Sequence, residues 1–116
     1  MRLVPVVLLV LVLAACSSTP PPTANVATGP AADADVQIIM IDDAFSPEQT
    51  EVEGNGPVTV DVRNDGEDAH NLVSADGTVV TPLLEPGDVV SFSVPIDGEW
   101  RFRCTLHGGM EGTISR

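Results

Sequence analysis

Two stretches of this sequence alternate strictly between apolar and polar residues: Val58-Thr59-Val60-Asp61-Val62 and Val90-Ser91-Phe92-Ser93-Val94. A period of two puts every second side chain on one face of an extended strand, so each stretch has one face for a core and one for water. Trp100, Phe102 and Cys104 repeat the pattern, with Arg101 and Arg103 on the opposite face. No stretch sustains a helical period. Turn signals cut the chain at Glu53-Gly54-Asn55-Gly56-Pro57, Asn64-Asp65-Gly66, Asp76-Gly77, Pro86-Gly87-Asp88 and Asp97-Gly98, where glycine, proline and Asx residues favour sharp reversals. Short strands broken by turns roughly every 8–12 residues build a sandwich or a barrel. The pattern predicts an all-β fold of about seven to eight mostly antiparallel strands. Val36 to Ile41 reads as a continuous apolar run, fit for a strand buried on both faces.

The N-terminal end has a different character. Met1-Arg2 precedes an apolar run of 13 residues from Leu3 to Ala15. That is too short to span a bilayer as a helix and fits the apolar region of a secretory signal. The run ends in Leu13-Ala14-Ala15-Cys16, which resembles the bacterial lipoprotein signal, where the peptide is cut before the cysteine and the thiol takes a lipid. Residues 1–15 are therefore expected to be a lipoprotein signal peptide. Residues 16–35 are expected to be a lipidated Cys16 and a disordered tether, because Pro20, Pro21, Pro22 and Pro30 stand among Ala, Thr, Ser and Gly with little bulky apolar side chain. Such a tether reaches roughly 25 Å as a coil and about 60 Å when stretched. Residues 36–116 are left as one small folded domain, of a size that often gains from a metal staple. The expected location is the outer face of a bacterial membrane, periplasmic or cell-surface.

Charge limits the partners. The chain has five arginines and no lysine against 17 acids, a net charge of −12. Loss of Arg2 with the signal leaves four cations against those 17 acids. Nucleic acid and anionic lipid headgroups are disfavoured as partners. The acids are spread along the chain, which reads as a solubility device, and Arg101 and Arg103 are expected to pair locally with them.

The chemistry sits near the C-terminus. The chain has two cysteines, Cys16 and Cys104, and two histidines, His70 and His107. With Cys16 lipidated, Cys104 has no disulfide partner within the chain and needs another role. Cys104, His107 and Met110 follow one another at intervals of three, with Gly108 and Gly109 to let the backbone turn. Three ligands from one short loop do not easily encircle an ion, and His70 is the only other histidine, at the start of an expected strand His70–Ser74. A thiolate, two imidazoles and a thioether are the ligand set of a mononuclear electron-transfer copper site. Zinc in structural sites rarely takes methionine and favours a second cysteine. Haem attachment requires Cys-x-x-Cys-His, which is absent. Two histidines are too few for a multicopper oxidase.

From Phe45 to Arg116 the sequence resembles the cupredoxins, the fold of plastocyanin and amicyanin. The resemblance is carried by Phe45-Ser46-Pro47; Val62-Arg63-Asn64 followed by His70-Asn71; Glu85-Pro86-Gly87-Asp88; Trp100-Arg101-Phe102-Arg103-Cys104; and Met110-Glu111-Gly112-Thr113-Ile114. It implies a Greek-key β-sandwich holding one type 1 copper ion, with His70, Cys104 and His107 as equatorial ligands and Met110 axial. It also implies that the backbone N–H of Asn71, behind the ligands, points at the Cys104 sulfur. The short Cys-x-x-His-x-x-Met loop is similar to that of amicyanin. The sequence departs from the family at Leu106, often proline; at Trp100, usually tyrosine; and in the Glu53–Pro57 turn.

With every metal position filled by protein, no position remains for substrate, so an electron carrier is expected rather than an enzyme. The family resemblance implies exchange through the edge of His107 with a transiently docked redox protein, across a patch that includes Leu106, Gly108, Gly109 and Met110. A monomer is expected. The alternative is a copper delivery or protection protein in which redox cycling is incidental. The absence of Met- or His-rich segments weighs against it.

Overall fold

The computed structural model describes residues 19–116; the expected signal peptide and the expected lipid-bearing Cys16 lie outside the described residues. Nine strands and no helix occur among the described residues. They are β1 (Ala27–Thr28), β2 (Val36–Ile41), β3 (Ala44–Ser46), β4 (Gln49–Glu51), β5 (Val58–Asn64), β6 (Val73–Ser74), β7 (Val89–Val94), β8 (Glu99–Arg103) and β9 (Glu111–Ser115). One sheet has the order β1-β7-β5-β2-β3 and the other β4-β9-β8-β6. All pairings are antiparallel except β2 with β5 and β4 with β9.

The alternating stretches behave as their period requires. β5 and β7 pair with Val60 opposite Phe92 and Val62 opposite Val90, and Val58, Val60, Val62, Val90, Phe92 and Val94 are all buried. In β8, Trp100 and Phe102 turn inward and Arg101 and Arg103 outward. Phe102 meets Phe45 edge-on with ring centroids 4.9 Å apart, and Trp100 meets Phe92 at 5.8 Å, so aromatic contacts tie the two sheets together. Arg101 pairs with Glu99. Arg103 has no ion pair among the described residues, so one of the two expected local pairs forms.

Three expectations are corrected. β2 is buried on one face only: Val36, Ile38 and Met40 point into the core, while Gln37 and Ile41 are exposed and Ile39 is half-buried. Its apolar run reflects a two-layer sandwich whose outer face tolerates apolar residues. The expected strand from His70 to Ser74 is reduced to β6, and His70 joins the sheet region only through an isolated bridge to Leu84.

The third correction concerns the tether. From Thr23 onward the chain is laid along the sandwich. Thr23 N–H donates to Val80 O at 2.9 Å, Gly29 N–H to Val89 O at 2.8 Å, and Asp35 N–H to Thr59 O at 2.8 Å. β1 adds to the edge of β7, and Ala31 N–H donates to Asp61 Oδ1 at 2.8 Å. This strap explains why Asp61 and Ser91, on the outward register of β5 and β7, are buried. Composition shows too few core-forming side chains here, but the segment is held mainly through backbone hydrogen bonds, which composition does not report.

Candidate metal centre

The site lies at the end of the sandwich where β5 and β8 both terminate. β8 delivers Cys104, buried, one residue past its end. The loop from Cys104 to Met110 is closed at its base by Cys104 N–H donating to Met110 O at 2.9 Å, and inside by Met110 N–H donating to His107 O at 3.4 Å. Gly109 takes φ 79°, the left-handed region that other residues avoid. Gly108 is not in that region, so only one of the two glycines is required by the turn.

His70 arrives from the other sheet's side, on the connection between β5 and β6. Its backbone exchanges hydrogen bonds with Leu84, N–H to O at 3.0 Å and O from N–H at 2.7 Å. Asn64, at the end of β5 and fully buried, shapes this connection. Its amide donates to Asp68 O at 2.7 Å and Leu84 O at 2.8 Å, and its Oδ1 accepts from Gly66 N–H at 2.9 Å. A Cβ at Gly66 would stand 3.2 Å from both Asn64 Oδ1 and His70 Nε2. Glycine is used there for closeness rather than for its backbone angle.

The three donor atoms converge. His70 Nδ1 and His107 Nδ1 are 3.1 Å apart, and Cys104 Sγ is 3.9 Å from the first and 3.6 Å from the second. With bonds of about 2.0 Å to nitrogen and about 2.3 Å to sulfur, typical of a divalent transition ion, these separations correspond to angles of about 101°, 130° and 114° at a central ion. They add to roughly 345°, about midway between the roughly 328° of a regular tetrahedron and the 360° of a planar trigonal set, so the three donors can share one ion. Both imidazoles present Nδ1, so the donor triangle is already sized for one ion. Met110 is buried in the same apolar cluster as Cys104. His70, Cys104, His107 and Met110 together fit a single type 1 copper ion, whose mixed soft and imidazole donors suit that metal.

The surroundings set the properties of these groups. His70 is fully buried. Desolvation, and then the neighbouring His107 ring, hold its pKa below the ordinary 6.5, outweighing the pull of Asp68, Asp43 and Asp42. The ring is therefore a neutral ligand near neutral pH. His70 Nε2 has no hydrogen-bond partner. His107 is different: its side chain is 22% exposed and its Nε2 lies 3.4 Å from Asp43 Oδ1.

Asn71 follows His70 and is buried, and its side chain does work the sequence reading missed. Its Nδ2 donates to Thr105 Oγ1 at 2.8 Å, and its Oδ1 accepts from Thr105 N–H at 2.8 Å. The residues following the two ligands His70 and Cys104 thus clasp each other. Thr105 is not singled out by the sequence, and Asn64 enters it only as a turn residue and as the end of a segment that carries the family resemblance. Adjacency to Cys104 is the only signal for Thr105. Met110, expected in the surface patch around His107, is buried, while Leu106, Gly108 and Gly109 are exposed. Met110, 1% exposed, has no surface to offer to that patch.

Comparison with known proteins agrees with the geometry. No curated protein sequence matches significantly. Among solved structures, the novel purple cupredoxin from Nitrosopumilus maritimus superposes with a TM-score of 0.59 at 25% identity, covering 70% of this chain and 98% of that one. A mutant of amicyanin superposes with a TM-score of 0.65 at 16% identity, covering 82% and 95%. The copper-containing nitrite reductase from Thermus scotoductus SA-01 matches at 0.57 and 26%, but this chain spans only 21% of it. The profile of the cupredoxin-like domain family matches residues 5–115. The chain belongs to the cupredoxin family.

Proposed function

We propose that this protein is an electron carrier, exported and held at the outer face of a bacterial membrane by a lipid on Cys16. The observation that carries the redox reading is the closed donor set. Two imidazole nitrogens and one cysteine sulfur lie within 3.9 Å of one another, with His70, Cys104 and Met110 buried and only His107 reaching water. Such a site has no room for a substrate beside the metal.

A bound copper ion supplies a one-electron couple. The chain's contribution is to hold the donors still. Cys104 is fixed by the end of β8, His70 by Leu84 and Asn64, and the two ligand segments by the Asn71–Thr105 clasp. A frame that hardly moves between oxidation states keeps reorganisation small. The burial of His70 and Cys104 excludes water, and the exposed edge of His107 gives electrons the shortest way out. Met110 would supply a weak fourth donor to that ion, and the backbone N–H of Asn71 would be directed at the Cys104 sulfur, as the family resemblance implies. The membrane attachment is supported by the Leu13-Ala14-Ala15-Cys16 sequence.

Voltammetry of the copper-loaded protein alongside a copper-chelator challenge tests the role. Reversible cycling with slow loss of copper is the result for a carrier. Poor reversibility with rapid surrender of copper would assign the protein to copper delivery instead. Cys16→Ser tests the anchor: it is expected to abolish membrane retention or processing, and retention with normal processing would exclude lipidation.

A further inference from the structure

We infer that the edge of the domain at Pro82 and Leu83 rests on a zwitterionic lipid surface, held there by the strap that runs from Thr23 to Asp35. This rests on the anchor reading above and gives the anchored domain its orientation.

The length of free chain carries the inference. A tether that stayed loose as far as Asp35 would let the domain stand about 60 Å from its lipid. The strap takes up that chain from Thr23 onward. Between Cys16 and Thr23 only the six residues Ser17 to Pro22 remain, and even fully extended they span no more than about 25 Å. The strap is fastened firmly at this end. Thr23 N–H donates to Val80 O at 2.9 Å, Val80 N–H donates to Thr23 Oγ1 at 3.0 Å, and Asn25 Nδ2 donates to Thr78 O at 3.0 Å. Thr23 faces Val80 and Asn25 faces Thr78, so the two segments run antiparallel. Traced back from Thr23, the chain heads the way the opposite segment runs from Val80 to Leu83. The lipid is therefore confined to the Leu83 side of the domain.

An apolar contact stands ready on that side. Leu83 is 47% exposed, the most exposed large apolar side chain among the described residues, and Pro82 beside it is exposed. They line a groove together with Thr28, Gly29 and Pro30 of the strap. The other two exposed large apolar residues, Ile41 and Leu106, lie at the end of β2 and in the metal loop, away from the fastened end. Asp88 lines the same groove, Glu85 is exposed close by, and no cation lines the groove. Anionic headgroups would be repelled there, so the fitting surface is zwitterionic.

One leucine and one proline are too little to bind a membrane from solution. Once a lipid holds the domain within about 25 Å, the contact becomes intramolecular, and a short linker supplies an effective concentration in the millimolar range. A weak patch then suffices. Leu84, the next residue, carries the backbone hydrogen bonds to His70, so this contact brings the metal end of the domain close to the plane of the membrane.

The test uses the lipid-bearing full chain, copper-loaded and reduced, in phosphatidylcholine vesicles whose acyl chains carry bromine just beneath the headgroups. Bromine quenches tryptophan emission at short range, and Trp100, 5% exposed, supplies a constant background. Leu83→Trp is expected to lose about half or more of its added emission, as for a side chain seated at the headgroup boundary. The control Gln49→Trp lies on β4, the edge strand at the other end of the second sheet from β6, and is expected to lose less than about a tenth. Replacing part of the phosphatidylcholine with phosphatidylglycerol is expected to reduce the quenching at low salt, and an increase would overturn the choice of headgroup. Equal quenching of both variants would show a domain with no preferred face, and quenching of neither would show a domain that stands off the surface. Each overturns the inference, while flotation of the protein with the vesicles keeps the anchor reading intact. Failure of the unaltered chain to float with vesicles would instead remove the anchor reading and the inference with it.

Discussion

Replacing Asn71 with alanine removes the clasp between the two ligand-bearing segments. Asn71 is 2% exposed, and both hydrogen bonds to Thr105 are 2.8 Å long. Two such bonds contribute about 1 kcal/mol each, and the Thr105 N–H left behind without an acceptor adds about 1–3 kcal/mol in proportion to its burial. Thr105 is half-buried, so the lower part of that range applies, and the total is about 2–4 kcal/mol. For a domain whose whole stability is of order 5–10 kcal/mol, this lowers the melting temperature by roughly 10–25 °C. Thr105→Val removes only the hydroxyl and is expected to cost about 0.5–1.5 kcal/mol. The single tryptophan, Trp100, reports urea unfolding of the metal-free protein, and a double-mutant cycle isolates the pair. Copper affinity of Asn71→Ala is expected to fall about 10–100-fold, as when groups that orient metal ligands are lost. Strict additivity of the two substitutions, with unchanged copper affinity, would refute the clasp as a coupling between the ligand segments.

Gly112→Ala is expected to destabilise by about 1–3 kcal/mol, because a Cβ there would stand 2.5 Å from Phe102 Cζ and 3.1 Å from Glu48 O; urea titration checks it, and a gain in stability would mean that Phe102 is free to move. Met110→Leu is expected to keep copper and raise the reduction potential, since Cu(II) loses more than Cu(I) when a long axial donor goes; voltammetry decides. The metal-free protein is expected to lose stability on acidification. His70 titrates lower in the folded state than its ordinary 6.5, so the unfolded chain takes up the proton first. The contribution is complete above about pH 6.5 and is lost as pH falls through the lower folded value. Urea midpoints across that range test it, with His70→Gln expected to flatten the slope.

The sequence was a good guide wherever one residue type or one period decides the outcome. Alternation in β5, β7 and β8 gave strands, faces and the inward run of Trp100, Phe102 and Cys104, because a side chain's side of a sheet depends only on parity. The donor set was legible because soft and imidazole ligands are chemically distinctive and the chain holds few of them. What escaped reading was what depends on tertiary partners. The strap from Thr23 to Asp35 is held by backbone groups that every residue carries. The Asn71–Thr105 clasp spans 34 residues and joins side chains that favour loops anyway. The β2–β3 turn folds against the connection to His70, an approach that the linear sequence conceals. The one-sided burial of β2 was misread for the same reason: an apolar run does not say how many layers will cover it.

The central claim is that His70, Cys104, His107 and Met110 hold one type 1 copper ion. Titrating the metal-free protein with Cu(II), with visible absorption and electron paramagnetic resonance recorded at each step, tests it most directly. The account predicts an intense thiolate-to-copper charge-transfer band that saturates at one equivalent, is bleached by reductant and is lost in Cys104→Ser. A colourless Cu(II) adduct, or an intense band that survives in Cys104→Ser, would contradict it.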